Sequence, residues 1–267
     1  MSLSVSPVNH PPRRNLWLKW SARLAGLIWL LLLGPFAVLA FGDLDLETHW
    51  SQASHASTGQ APTPAETPEP LILVYGARAY NWRGAFAIHT WIATKRHRAQ
   101  NYTVYQVIGW NLYRRQSVVS VSQSAPDFLW YNARPALLLE RRGPEVEGLI
   151  DRIETAVANY PYPFAYRAWP GPNSNTFTAF VARQVPELGL DLPPTALGKD
   201  YLANGDLLAP MPSGTGWQLS LAGLLGLGLA WEEGVEVNVL GLSTGLDVND
   251  LGLRLPGIGR ITLSGRG

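Results

Sequence analysis

The feature that most constrains this chain is a long apolar run near its N-terminus. Residues 16–41 are apolar apart from Lys19, Ser21 and Arg23, and residues 24–41 carry no charge. As an α-helix, those 18 residues span about 27 Å, and long basic side chains at one end extend the reach toward the roughly 30 Å of a bilayer core. The sequence therefore predicts one transmembrane helix over residues 16–41.

The charges on the two sides of this run predict its orientation. Basic residues lie before or inside its start, and acidic residues follow it directly: Arg13, Arg14, Lys19 and Arg23 against Asp43, Asp45 and Glu47. By the positive-inside rule, residues 1–15 form a cytoplasmic N-terminus and the rest of the chain lies outside the cytoplasm. A cleavable signal peptide is the alternative, since Val38-Leu39-Ala40 offers small residues of the A-x-A type. We favour an uncleaved signal anchor because the apolar run exceeds the usual length of about 7–15 residues.

The segment that follows is polar and rich in proline. Residues 42–70 consist mainly of Ser, Thr, Ala, Gln, Pro and acidic residues. Such a composition lacks the apolar residues needed to offset the entropy of ordering, so the sequence predicts a disordered linker. His49 and His55 fall within it, which leaves His89 and His97 as the histidines of the folded part.

Composition excludes several classes of function. The formal net charge is +1 and the chain contains no cysteine. Nucleic-acid binding requires a concentrated excess of basic residues, so we expect no nucleic-acid partner. Thiolate catalysis, disulfides and cysteine-bound metals are excluded by the missing cysteine. With two histidines in the folded part and no adjacent carboxylate cluster, we expect no metal and no cofactor.

Residues 71–267 have the alternation of a domain that mixes strands and helices. Apolar or alternating runs at residues 71–75, 85–93 and 102–110 predict strands, and the last two should form an antiparallel hairpin. Apolar spacing over residues 144–157 predicts an amphipathic helix. From about residue 214 the chain holds half of its 26 glycines among short alternating segments, which indicates a Gly-rich β-meander. The predicted fold class is α+β, an antiparallel sheet with packed helices.

One stretch combines a loop with the start of a helix. The loop runs through Trp169 and ends at Asn173, and the apolar spacing that follows predicts a helix beginning near Ser174. The first N–H groups of a helix favour an anion or a nucleophile, and they equally favour an ordinary capping side chain. Asn173, Asn175 and Trp169 are candidate binding residues there, and Ser174 is either a nucleophile or a cap.

A histidine and a tryptophan share one face of the first hairpin strand. Period-2 alternation puts His89 and Trp91 beside small alanines on one face and the larger apolar residues on the other. Gln106 lies on the next strand. The small residues leave room above the sheet, either for a site that includes Trp91 or for a packed element. We also expect this hairpin to pack against the helix over residues 176–184.

The order of these motifs resembles that of a known enzyme superfamily. A strand histidine (His89), a polar residue on the next strand (Gln106) and a helix opening at Asn-Ser-Asn-Thr are similar to the circularly permuted papain-like (NlpC/P60) superfamily. Its members cleave or transfer acyl groups on peptidoglycan peptides, lipids or proteins. The resemblance implies a permuted papain-like fold with Ser174 in place of the catalytic cysteine, His89 as base and Gln106 orienting the imidazole.

A second resemblance covers residues 71–267. The segments Val235-Glu-Val-Asn-Val239 and Leu255-Pro-Gly-Ile-Gly-Arg-Ile261 are similar to an uncharacterised proteobacterial envelope family, known as a domain of unknown function. This resemblance implies a single-pass protein of the bacterial inner membrane with its C-terminal domain in the periplasm.

Two functions follow as expectations. We favour a non-catalytic envelope module that binds an unknown envelope component, such as a peptide or a lipid. The alternative is a Ser/His acyl-transfer enzyme or hydrolase acting on a cell-wall peptide or lipid, with helix N–H groups receiving the oxyanion.

Overall fold

A single long helix precedes the sheets in the computed structural model, which describes residues 16–262. This helix, α1 (Leu16–Phe41), contains Pro35, and its mean hydropathy reaches 2.4. It is apolar and long enough to be a membrane span, and a signal sequence would have the same character. The predicted cytoplasmic tail, residues 1–15, lies outside the described residues, as do residues 263–267.

The first sheet has five antiparallel strands in the order β4-β3-β2-β1-β5. They are β1 (Leu71–Arg78), β2 (Ile88–Lys95), β3 (Thr103–Val107), β4 (Val119–Gln123) and β5 (Ala136–Arg142). The predicted hairpin is confirmed as β2 and β3, in which Ile92 lies opposite Tyr105. Short 3₁₀ turns occur at Pro64–Glu66, Asn81–Ala85, Gly109–Arg114, Pro186–Leu188 and Ala203–Gly205.

Two helices cover one face of this sheet. They are α2 (Val146–Ala158) and α3 (Ser174–Gln184). Each has an apolar stripe at helical spacing, such as Ile150 and Ile153 on α2 and Phe177 on α3, and these side chains are fully buried in one core. The predicted packing of the hairpin against the helix over residues 176–184 is confirmed by this core and by the contacts between α3 and β2.

The other face of the first sheet differs from the sequence prediction, because residues 42–70 are not a free linker. Asp127 accepts hydrogen bonds from the Ser57 hydroxyl at 2.7 Å and from the backbone N–H of Gln60 at 2.7 Å. The buried Lys95 ammonium donates to the carbonyls of Thr67 and Glu69, at 2.7 and 2.8 Å. The domain thus supplies polar partners for a segment that has few apolar residues of its own, and charge-assisted bonds to its backbone offset part of the entropy of ordering it.

The second sheet is a seven-stranded antiparallel meander in the order β12-β11-β10-β9-β8-β7-β6. Its strands are β6 (Leu208–Pro210), β7 (Gly216–Leu221), β8 (Leu225–Ala230), β9 (Gly234–Val239), β10 (Leu242–Asp247), β11 (Gly252–Leu255) and β12 (Gly259–Thr262). The predicted Gly-rich meander is therefore confirmed, as is the α+β class. At the β9–β10 turn Leu240 and Gly241 both have positive φ, 55° and 83°, which suits a two-residue hairpin between twisted strands.

A cluster of buried charges joins the second sheet to the rest of the domain. Glu236 on β9 lies 2.5 Å from the Lys199 ammonium and 2.6 Å from Arg254 Nε. Arg254 in turn makes a bidentate pair with Asp191 at 2.6 and 2.8 Å. Asp200 accepts a bond from Asn238 at 2.6 Å. The face of this sheet that packs on residues 191–200 is therefore polar.

Candidate functional site

The polar start of α3 is a helix cap built from two side chains. The Asn173 Oδ1 accepts from the N–H groups of Asn175 and Thr176, at 2.9 and 3.1 Å. The Thr176 hydroxyl accepts from the Asn173 N–H at 3.1 Å, which completes a capping box. The helix begins at Ser174 as predicted, but the capping side chain is Asn173 and not Ser174.

Asn175 fastens this helix start to the first sheet. Its amide nitrogen donates to the carbonyls of Ile88 and Leu197, at 2.9 and 2.8 Å, and its amide oxygen accepts from the Thr90 hydroxyl at 2.9 Å. All these atoms are buried or partly buried. Asn173 and Asn175, which the sequence suggests as binding residues, therefore hold the loop, the helix and the sheet together.

His89 lies on the opposite face of the sheet from α3. Successive residues of a strand point to opposite faces, and Thr90 points to Asn175 on α3. His89 instead stacks on Trp130, with ring centroids 3.6 Å apart and planes 3° apart, in the core on the other face. The pair of Ser174 and His89 that the papain-like resemblance implies is not made, because the sheet backbone separates the two side chains.

The predicted partnership of His89 and Gln106 is made. His89 Nε2 lies 3.0 Å from Gln106 Oε1, and an amide oxygen only accepts, so Nε2 carries the proton. Burial lowers the pKa of His89 to about 4, although the bond to Gln106 acts in the opposite direction. A neutral imidazole stacked on Trp130 and bonded to an amide is an interior residue here.

The two predicted tryptophans have different surroundings. Trp91 is fully buried, stacks on Phe128 and donates to the Pro126 carbonyl at 2.7 Å, so it is a core residue. Trp169 is half exposed, and its indole donates to the Leu240 carbonyl at 2.8 Å. It ties the loop before α3 to the β9–β10 turn.

A cavity of about 260 Å³ opens beside the middle of α3. Its lining includes Tyr160, Tyr162, Arg183, Tyr201 and Asp206. The Tyr160 hydroxyl is buried and has no hydrogen-bond partner among the described residues, and burial raises the pKa of this phenol. A buried polar group without a partner costs free energy, on the order of 1–3 kcal/mol, and a ligand toward which the Tyr160 side chain turns would supply the partner.

Arg183 brings a cation to the wall of this cavity. Its guanidinium donates to the carbonyls of Pro210 and Lys199, each at 2.9 Å, and to the Gln218 amide oxygen at 2.9 Å. Desolvation lowers the pKa of Arg183 to about 10, so the group stays charged at neutral pH. The Tyr162 hydroxyl accepts from the Asn204 N–H at 2.9 Å, which fixes another part of the lining.

Sequence reasoning found only part of this cavity. The loop of residues 160–169 is rich in aromatic residues, and Tyr160 and Tyr162 come from it. Arg183, Tyr201 and Asp206 carried no local signal, because they come from separate segments that meet only in the folded chain. Within residues 16–262, no group of three or more acidic or histidine side chains is arranged to hold a metal ion.

A comparison with protein families finds a match over about half of the chain. Residues 69–201 are similar to a family described as a protein of unknown function (DUF3750). The matched segment contains the first sheet, α2 and α3, and it ends before the seven-stranded sheet begins. No curated protein matches the chain. No solved structure matches it either.

Proposed function

We propose that this protein is a non-catalytic module of the bacterial cell envelope. In this proposal α1 anchors it in the inner membrane, the domain lies in the periplasm, and the cavity beside α3 binds a short envelope peptide. The observation that carries the proposal is the buried Tyr160 hydroxyl without a partner in the wall of that cavity.

The roles of the polar residues support binding over catalysis. Asn173 and Asn175 are engaged in the cap and in the contact with β2. His89, the base that an acyl-transfer site needs, is buried on the far face of the sheet with a pKa of about 4. A nucleophile requires a base within hydrogen-bond reach, so this arrangement favours a structural role for both Ser174 and His89.

The lining of the cavity supports a peptide as ligand. A guanidinium (Arg183) and a carboxylate (Asp206) line the cavity together with three tyrosines and a phenylalanine. Groups of both charges, set among aromatic rings, suit the amine, carboxylate and amide groups of a short peptide. The phenol of Tyr160 can donate to a peptide carbonyl.

The proposed topology is supported by the charges around α1 and is tested with reporters. Alkaline phosphatase and green fluorescent protein, each fused after Pro70, report periplasmic and cytoplasmic locations. We expect an active phosphatase and a dark fluorescent protein. The reverse pattern would overturn the proposed orientation, and the mass of the mature N-terminus separates an anchor from a cleaved signal peptide.

The proposed binding is tested with the full chain in detergent and soluble cell-wall stem peptides, measured by calorimetry. Tyr160→Phe removes the hydroxyl and nothing else, and we expect it to weaken peptide binding by at least about fivefold, equivalent to about 1 kcal/mol. Its stability should be unchanged or higher, because an unpaired buried group is lost. Tyr113→Phe is the matched control, since Tyr113 is 92% exposed and does not line the cavity. Equal affinities for wild type and Tyr160→Phe, or no binding by wild type, would remove the proposal.

A further inference from the structure

The outward face of the seven-stranded sheet is apolar across its strands. One row of directly opposed residues crosses six strands, and each member is between 41% and 66% exposed. The row consists of Trp217, Leu229, Val235, Leu246, Leu253 and Ile261. Residues that alternate with them, such as Glu236 and Arg254, are buried on the inward face. The sheet therefore turns its apolar side out.

The size of this face is unusual for a surface in water. The longest strands have six residues, about 20 Å, and seven strands at a spacing of about 4.8 Å are about 29 Å wide. The face is thus on the order of 600 Å², at the upper end of the apolar patches that soluble monomers expose. Patches of this size mark a site of contact with a protein or a membrane.

The apolar helix α1 touches this sheet well below its own C-terminal end. Gly34 and Pro35 are buried against the β11–β12 turn, where a Cβ on Gly257 would lie 2.6 Å from the Pro35 nitrogen. Arg78 holds the same turn by donating to the Gly257 carbonyl at 2.5 Å. Gly34 comes seven residues before Phe41, so the contact lies about 10 Å below the helix end, within one leaflet about 15 Å thick.

The two ends of the sheet differ in charge. The turns at the end that meets α1 carry no charge; they are Ala222–Gly223, Leu240–Gly241 and Pro256–Gly257. The turns at the opposite end carry Glu232, Glu233, Asn249 and Asp250. Acidic residues therefore lie at the end away from the helix, beside the exposed Trp231, Val248 and Leu251, and the turns beside the helix carry no charge, as expected for an element that enters a bilayer obliquely.

We infer that the outward face of the seven-stranded sheet lies in the outer leaflet of the membrane beside α1, in contact with lipid acyl chains. The polar groups of the inward face do not meet lipid, because Glu236, Lys199 and Arg254 pair with one another beneath the sheet. Insertion to the boundary of headgroups and acyl chains, about 5–10 Å deep, covers the apolar residues and leaves the acidic end at the surface. This inference rests on the proposed anchoring by α1.

The test uses the cysteine-free chain as a background for single labels. Leu227→Cys on the outward face, Leu30→Cys on α1 and Val121→Cys on β4 of the first sheet are each at least 51% exposed. Each variant of the full chain is labelled with the environment-sensitive fluorophore NBD and reconstituted in phosphatidylcholine–phosphatidylglycerol vesicles. Quenching by lipids with nitroxides on their acyl chains then reports contact with the leaflet.

We expect strong quenching and a blue-shifted emission at positions 30 and 227, and neither at position 121. Quenching at 30 but not at 227 overturns this inference and leaves the anchoring intact. Absence of quenching at both positions overturns the anchoring as well. A blue shift at 227 without lipid quenching means that protein covers the face, a second copy or another partner, and this also contradicts the inference.

Discussion

The two sheets bury opposite kinds of side chain. In the five-stranded sheet, apolar residues turn toward α2 and α3: Ile72, Val74 and Ile92. In the seven-stranded sheet, polar residues turn toward the rest of the domain: Glu236, Asn238 and Arg254. The sequence predicts strands in both sheets, from apolar runs such as β1 in the first and from alternation with period 2 in the second. The side that becomes buried depends on what covers it. Apolar helices cover the first sheet, and a layer of charged side chains covers the second.

The energetic consequence is a difference in what holds each sheet. Burial of apolar surface, worth about 25 cal/mol per Å², stabilises the first. The second is held by buried ion pairs, whose net contribution is small but whose disruption is costly because a charge is left without its partner. Burial alone would lower the pKa of Lys199, yet Asp200 and Glu236 together raise it, so this lysine stays charged beneath the sheet.

The largest contrast should appear when large apolar residues of the two regions are truncated. Phe177→Ala removes a fully buried ring from the first core and should lower the free energy of unfolding by about 3–5 kcal/mol. Leu227→Ala on the outward face of the second sheet should change it by about 0.5 kcal/mol or less. Thermal unfolding of the full chain in detergent, followed by near-ultraviolet circular dichroism, measures both. Comparable losses would mean that the second sheet also buries its apolar face against protein.

A second contrast is pH dependence, since the seven-stranded sheet has no histidine and the first sheet buries His89. The folded-state pKa of about 4 lies below the ordinary value of 6.5, so the unfolded chain binds more protons between these values. Stability is therefore lost as the pH falls from about 6.5 to about 4, by up to about 3 kcal/mol. His89→Gln keeps a donor for Gln106 and should show a shallower loss over that window. If stability falls equally steeply with pH in the wild type and in His89→Gln, His89 is not a buried neutral imidazole.

A smaller effect separates the two residues at the start of α3. Asn173→Ala removes the cap and should cost about 1 kcal/mol, within the usual 0.5–2 kcal/mol, whereas Ser174→Ala should cost a few tenths. The same unfolding assay compares them. A larger loss of stability from Ser174→Ala than from Asn173→Ala would mean that Ser174 is the capping residue.

Much of the fold can be predicted from the sequence, because the relevant signals are local. The uncharged run predicted α1, the spacing of apolar residues predicted α2 and α3, and alternation with glycine turns predicted the meander. The prediction of a disordered linker over residues 42–70 is wrong, because composition describes only the contacts that a segment can make with itself. The partners of that segment, Asp127 and Lys95, lie elsewhere in the chain.

The site was harder to predict for a related reason. Alternation placed His89 and Thr90 on opposite faces, but no local pattern says which face the helix at Ser174 will cover. The structure puts Thr90 under that helix, so His89 meets Trp130 instead. The cavity likewise depends on Arg183 and Tyr201, which are brought together only by the loops between α3 and β7.

The central claim is that the second sheet turns its polar side toward the domain and its apolar side outward. Two neighbouring residues on β9 test it most directly. Glu236 is buried with Lys199 and Arg254, and Val237 points outward. We expect Glu236→Leu to lower the unfolding free energy in detergent by about 3 kcal/mol, because Lys199 and Arg254 each lose one of their two carboxylate partners. Val237→Glu should cost less than Glu236→Leu, since the new carboxylate is not enclosed by protein. In a sheet with the usual orientation the order would be reversed, so a larger loss for Val237→Glu than for Glu236→Leu would contradict the account.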